Sequence, residues 1–378
     1  MRSRQYYSIY IVAFTLAVAC REKYTLPARA LVNNSFLVVE GYINVGGDST
    51  FIRLSNTTKI SDTVKQIMAT TGANVTVQSD DGSSYALNEM ADGIYAIPAI
   101  NGSVAAKYRI AITTADGRQY QSDYVPFKAT PPIDSISWDQ QDDGVHIYAN
   151  AHDDAANTKY YKWDYVETWA YTAPYDSYLI FVNGAAIGRD PDKHIYRCWR
   201  TITSSNISLF TTTKLSADVV YKAEVMFIPT STQRLGIKYS ILLKQHALSE
   251  EGFNYWQQLS KNTENLGSIF DAQPSQLTGN IHSTSNPGET VLGFITASSQ
   301  QQKRIFISRE DLRFWHYPPV NSGCDTVHLD TQEKMLLYAN QGYIPVDSYT
   351  FGKPYATTVD CADCRTQGGT LTKPSFWP

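Results

Sequence analysis

Short runs of alternating apolar and polar residues, broken every eight to twelve positions by turn signals, most constrain what this chain can fold into. Tyr108, Ile110 and Ile112 alternate with Arg109, Ala111 and Thr113, and Asp116-Gly117 follows at once. A period of two puts successive side chains on opposite faces of a strand, and Asp-Gly supplies the positive φ of a tight hairpin. Other strands read from the chain are Phe36 to Ile43, apolar on both faces at its start, Val75 and Val77 before Asp80-Asp81-Gly82, and the short Gly93 to Ile97, which stops at Pro98. The alternation resumes at Val145, Ile147 and Ala149 and at Tyr161, Trp163 and Tyr165, the last strand running on to Trp169. Many short, evenly spaced strands predict an all-β sandwich architecture.

The chain has 378 residues, against about 100–200 for a typical domain, so two domains are expected. Pro131-Pro132 cannot continue a ladder and marks the boundary. The expectation is mainly β: two tandem β-sandwich (Ig-like or fibronectin-like) domains, over residues 35–128 and 131–378, with one short helix inserted in the second. That helix is placed near 249–265: Ser249 can cap it, Glu250 and Glu251 suit its positive end, and Phe253, Trp256 and Leu259 share a face that covers a sheet edge. Val291 to Ala297 and Arg304 to Ser308 read as a hairpin, and the Gly-, Pro- and Cys-containing tail as a strap over the second sandwich.

The N-terminus has three parts: Arg2 and Arg4, an apolar run from Ile9 to Val18, and Ala17-Val18-Ala19 before Cys20. The run is too short for a helix of about 20 residues across a bilayer and reads as a cleaved export signal over 1–19. A cysteine at the cut resembles a bacterial lipobox, so Cys20 is the expected lipidation site and 20–34 a lipidated tether; the favoured Leu at the third position before the cysteine is here Ala17. An ordinary A-x-A cleavage site leaving Cys20 as a spare thiol is the competing reading.

Four cysteines remain, Cys198, Cys324, Cys361 and Cys364. An even number in an exported chain points to two disulfides. Each member of the close pair is expected to bond one distant cysteine, with a local 361–364 bridge as the alternative. A four-cysteine zinc site would need a second close pair.

Charged residues are only 18% and the formal net charge is −4, without a basic stripe, so nucleic acid is not an expected partner. Hydrolase, metalloprotease, phosphate-loop and dinucleotide motifs are absent from the sequence, and the chain is read as not an enzyme, with no cofactor and no metal. His146 and His152 lie near Asp142, Asp143, Asp153 and Asp154, which read as solvated turns rather than ligands. Trp163 fits a buried mid-strand position, whereas Tyr171 and Tyr175, flanking Pro174, are the candidates for an exposed ligand or partner contact.

Several stretches in order carry a family likeness: Leu37-Val38-Val39-Glu40-Gly41, Tyr161-Lys162-Trp163-Asp164-Tyr165, Cys198-Trp199, Gln273-Pro274-Ser275-Gln276 with Gly279-Asn280-Ile281, Val291-Leu292-Gly293-Phe294, Cys361-Ala362-Asp363-Cys364-Arg365, and Lys373-Pro374-Ser375-Phe376-Trp377. Together they resemble the Bacteroidota lipoproteins grouped as domain-of-unknown-function family four-two-four-nine. The resemblance implies a lipid-anchored outer-membrane protein, often encoded beside a TonB-dependent receptor, with an accessory role in taking up an unknown nutrient. It transfers no catalytic residue. The cell surface is expected ahead of the periplasmic face, although the acidic run typical of surface lipoproteins is here only Glu22 between Arg21 and Lys23. A structural or adhesion lipoprotein presenting Ig-like modules is the alternative.

Overall fold

A computed structural model describes residues 35–58, 67–230, 232–263, 277–313, 315, 323–346 and 354–378. The export signal, Cys20 and the tether lie outside the described residues. The protein is mainly β, and the strands read from the period of two form where expected, as Lys107–Thr113, Gly144–His152 and Tyr160–Thr172.

The first body is a closed barrel. Strand Lys107–Thr113 pairs Asn74–Ser79, which pairs Ser84–Ala91, then Ile94–Ile97, Thr50–Asn56 and Leu37–Asn44. Leu37–Asn44 then pairs in parallel with Ala297–Ser298, which pairs Val125–Lys128, and that strand returns to Lys107–Thr113. Eight strands thus close on themselves. Inward residues are the alternating apolar set: Leu37, Val39, Ile43, Ile52, Leu54, Val75, Val77, Tyr108, Ile110 and Ile112 are all at most 1% exposed.

Closure corrects two expectations. The first module is a barrel rather than a sandwich, and residues 35–128 do not complete it. The segment from Ile281 to Ser298, assigned from sequence to the second module, runs back over the first. Ile281–Ser283 extends the sheet beside Gln119–Ser122, Val291–Leu292 pairs Leu37, and Ile281, Val291, Ile295 and Ala297 enter the barrel core. The expected hairpin of Val291–Ala297 with Arg304–Ser308 does not form; Gln300–Ser308 pairs Lys238–Ala247 instead. The physical reason is the open edge. Leu37–Asn44 and Val125–Lys128 would otherwise present unpaired N–H and C=O groups, and the returning strand satisfies both.

The second body packs a three-stranded sheet (Ile133–Gln140, Gly144–His152, Val219–Pro229) against a five-stranded one. The latter orders Arg197–Thr203, Tyr160–Thr172, Lys238–Ala247 and Gln300–Ser308, with Ser208–Thr211 also on Tyr160–Thr172. Val145, Ile147 and Ala149 face Tyr161, Trp163, Tyr165, Tyr239, Ile241 and Leu243 in one core. Trp163 is fully buried and its indole N–H donates to Gln245 Oε1 at 2.8 Å.

The helix Glu250–Thr263 starts as expected, with Ser249 Oγ accepting from the Gly252 N–H at 3.1 Å. Its buried residues are Gly252, Phe253 and Tyr255, while Leu259 is only half-buried. It lies over the junction of the two bodies, with Phe253 against Tyr160 and Tyr255 against Phe294. It is not the only helix: Gln332–Asn340 and the short Val359–Ala362 lie in the tail. Thr331 Oγ1 caps the former by accepting from Lys334 N.

The tail is stapled as expected, Cys198 to Cys364 and Cys324 to Cys361. Backbone bonds add to the staples: Trp199 and Thr370 exchange N–H···O bonds of 2.9 Å each, and Cys364 N donates to Ile195 O.

Candidate functional site

Two strands of the barrel and two of the second body turn their outer faces toward each other. On the barrel wall, Glu40 stands opposite Arg53 and Tyr42 opposite Phe51 in the antiparallel register. On the facing wall, Lys162 pairs with His246 and Asp164 with Lys244. Trp256 of the helix forms a third side, and Thr296 and Gln300 of the returning chain close the floor. The enclosed cleft is about 490 Å³, within the roughly 300–1,000 Å³ of small-molecule sites.

Parity explains the chemistry. In Tyr160–Thr172 the odd-numbered rings point into the sandwich core, so the even-numbered Lys162, Asp164 and Val166 fall on the outer face. That face looks across the cleft at the barrel, and the Asp164 side chain keeps 32% of its surface exposed there. Asp164 Oδ1 accepts from Lys162 Nζ at 2.5 Å, and the same ammonium sits 4.7 Å from the centre of the Trp256 ring. Burial pushes the Asp164 carboxyl up, but Lys162 and His246 outweigh it and hold the group well below the usual carboxylate range. His246 is 4% exposed; burial drives its pKa below 6.5 and the ring is neutral near pH 7. Its Nε2 stands 3.3 Å from Asp164 Oδ2, at ion-pair distance but out of hydrogen-bond alignment, and Nδ1 has no hydrogen-bond partner among the described residues. Tyr42 packs edge-on against the imidazole at 4.3 Å and donates its hydroxyl to Gln300 Oε1. Burial raises Tyr42 above its ordinary value and Tyr165, deeper in the wall, to about 12, so both remain phenols.

The arrangement suits binding. Its acid is matched to an internal lysine, its imidazole is buried, and rings and charges share the walls. Sequence reasoning missed these residues: Lys162 and Asp164 were visible only as part of an aromatic-rich strand, and nothing local says that their face meets a second body.

The residues proposed from sequence as exposed contacts lie elsewhere. Tyr171 is 1% exposed, and its hydroxyl donates to Cys364 O at 2.7 Å. Strand Tyr160–Thr172 runs three residues past Trp169, which keeps Tyr171 on the core side. Tyr175 is half-buried; its N–H donates to Cys361 O and its hydroxyl lies 3.4 Å from Cys324 O. Both rings seat the stapled tail instead of presenting a surface. His146 lies between Asp143 and Glu224, and His152 bonds Asp134 at 2.7 Å. Asp153 accepts from the N–H groups of Ala155, Asn157 and Thr158, a turn-forming role. Among the described residues no cluster of three or more His, Cys, Asp or Glu could hold a metal, and no helix is long and apolar enough to cross a membrane.

Comparison with solved structures gives Escherichia coli alpha-2-macroglobulin activated by porcine elastase, at 11% identity and a TM-score of 0.19 over 57% of this chain and 19% of that one. It also gives the chicken interferon gamma receptor alpha chain, at 11% identity and a TM-score of 0.14 over 57% of this chain and 90% of that one. The Yersinia pseudotuberculosis adhesin InvE aligns at 14% identity and a TM-score of 0.16 over 58% of this chain and 56% of that one. Likenesses this weak carry no argument. No curated protein matches the sequence. A family model described as Domain of unknown function (DUF4249) matches residues 21–304. With that match covering well over half of its length, the chain belongs to the DUF4249 family.

Proposed function

We propose that the protein is a non-catalytic binding component of the bacterial outer membrane. It is cut before Cys20, held by lipid on that cysteine, carried on the cell surface, and takes a nutrient ligand into the cleft between its two bodies in support of a TonB-dependent receptor. The observation that carries the binding reading is the cleft itself, with Tyr42, Phe51 and Trp256 beside Arg53, Lys244 and Glu40. The export signal and Cys20 support the anchor, and the stapled tail suits an oxidising compartment. We read the second body as an immunoglobulin-like or fibronectin-like sandwich that holds one wall of the cleft.

Isolation of the lipidated protein from native outer membranes, with identification of whatever accompanies it, tests the reading. A TonB-dependent barrel recovered in stable ratio is the expected result. Its consistent absence, with other envelope proteins recovered in its place, favours a structural or adhesion lipoprotein. Mass spectrometry of the mature N-terminus tests the anchor: diacylglycerol on Cys20 is expected, and an unmodified start at another residue overturns it.

A further inference from the structure

The cleft's charges do not balance. Arg53, Lys162 and Lys244 line it against Glu40 and Asp164, three cations to two anions, with His246 neutral. Lys162 is spent on Asp164 at 2.5 Å. Arg53 and Lys244 stand on opposite walls, and neither closes a salt bridge among the described residues. Between them lie the apolar surfaces of Phe51, which is 55% exposed, and of Val166, Leu248 and Trp256. An exposed phenylalanine at the mouth of a concave site is available to a ligand's apolar body, and an unspent guanidinium or ammonium to a carboxylate.

We propose that the cleft takes a small organic monoanion, a carboxylate on a planar ring, with the acid between Arg53 and Lys244 and the ring against Phe51 and Trp256. This rests on the cleft being a ligand site. Glu40 and the Lys162-matched Asp164 disfavour a second negative charge, so a mono-acid is preferred over a di-acid. The screened, partly exposed cations make affinity fall as salt rises.

The test is calorimetric titration of the full-length protein in detergent micelles with three compounds that share one ring and differ in charge: indole-3-acetate, indole-3-acetamide and tryptamine. Micelles alone serve as the blank. The acid is expected to bind about tenfold or more tightly than the amide, the ratio of one charge-assisted hydrogen bond, and the amine most weakly. Lys244→Met and Arg53→Met should each weaken the acid more than the amide and so shrink the acid's advantage. Tighter binding of the amine, or equal binding of all three that ignores both substitutions, overturns the anion assignment while the cleft stands as a ligand site. Binding by none of the three overturns the ring-carboxylate assignment, and the wider ligand-site reading then rests on what accompanies the protein isolated from native membranes.

Discussion

The two staples of the tail make a quantitative prediction about stability. Replacing Cys198 and Cys364 with alanine releases a loop of 166 residues, whereas replacing Cys324 and Cys361 releases one of 37. If a disulfide acts by restricting the unfolded chain, its worth grows with the logarithm of loop length, to about 5 kcal/mol for the long loop and about 4 kcal/mol for the short one. The loops are nested, so an intact inner bridge shortens the outer loop and trims its value by only a few tenths of a kcal/mol. Both sulfurs of the long bridge are fully buried in the sandwich core, and alanine adds the cost of the vacated volume. The outer pair should therefore cost more than the inner pair by about 1 kcal/mol or somewhat above. Urea unfolding followed by tryptophan fluorescence reads this directly, since Trp163 and Trp169 share the core with Cys198 and Cys364. An inner-pair loss equal to or larger than the outer-pair loss would refute the reasoning and place the stabilisation in native contacts of the tail.

Three further outcomes are expected. Gly293 has φ +141°, and a Cβ there would lie 2.2 Å from Val39 O, so Gly293→Ala should cost about 2 kcal/mol or more, while Gly117→Ala, with open space around it, costs about 1 kcal/mol; equal losses in thermal unfolding would dismiss the close fit of the returning segment. His246 has a lowered pKa in the fold, so the unfolded chain takes up a proton near 6.5 that the folded one refuses, and stability is whole above that pH and falls below it. Relative to the native protein, His246→Gln should lose less between pH 7 and pH 5, and urea midpoints that move in parallel would contradict this. Tyr239→Phe removes a hydroxyl donated to the buried Glu167 at 3.0 Å, leaving it the Arg234 guanidinium at 3.5 Å; about 1–3 kcal/mol should be lost, and a neutral result would show that this hydrogen bond carries little net stability.

Local pattern carried the local structure. The alternation of Val145, Ile147 and Ala149 and of Tyr161, Trp163 and Tyr165 placed their core faces, and Ser249 with its two following glutamates placed the helix start. The even cysteine count gave two bridges, with the close pair expected to reach distant cysteines, but which partner each takes came only from the structure. What escaped was non-local. Two residues, Ala297–Ser298, close the barrel from more than 160 positions downstream of Val125–Lys128, and a two-residue strand has no period to read. Tyr171 was misplaced by strand length: parity from Tyr161 puts it on the core side once the strand extends to Thr172, together with the buried Glu167. The Gln332–Asn340 helix buries no residue completely, so its sequence has no strong apolar stripe to betray it. The cleft was unreadable for a related reason. The outer face of a strand bearing Lys162 and Asp164 looks the same whether water or another sheet covers it.

The same non-local strand that completes the barrel also builds the cleft. The chain crosses from barrel to sandwich at Thr130–Pro132 and crosses again at Ser298–Gln300, and the two crossings are tied together: Thr130 N donates to Ser299 Oγ, Ala247 N to Thr130 Oγ1, and Gln245 Nε2 to Pro131 O. A single linker would let the bodies pivot, whereas two bonded crossings resist it. Ala297–Ser298 belongs to the barrel sheet, and Gln300, two residues on, opens the sandwich strand and accepts the Tyr42 hydroxyl across the gap. Barrel closure and cleft width are thereby set by one stretch of backbone. That coupling accounts for long-range topology where a simple tandem of independent modules would have left the facing walls free to move: a preformed site costs less to occupy than one that must be assembled around its ligand.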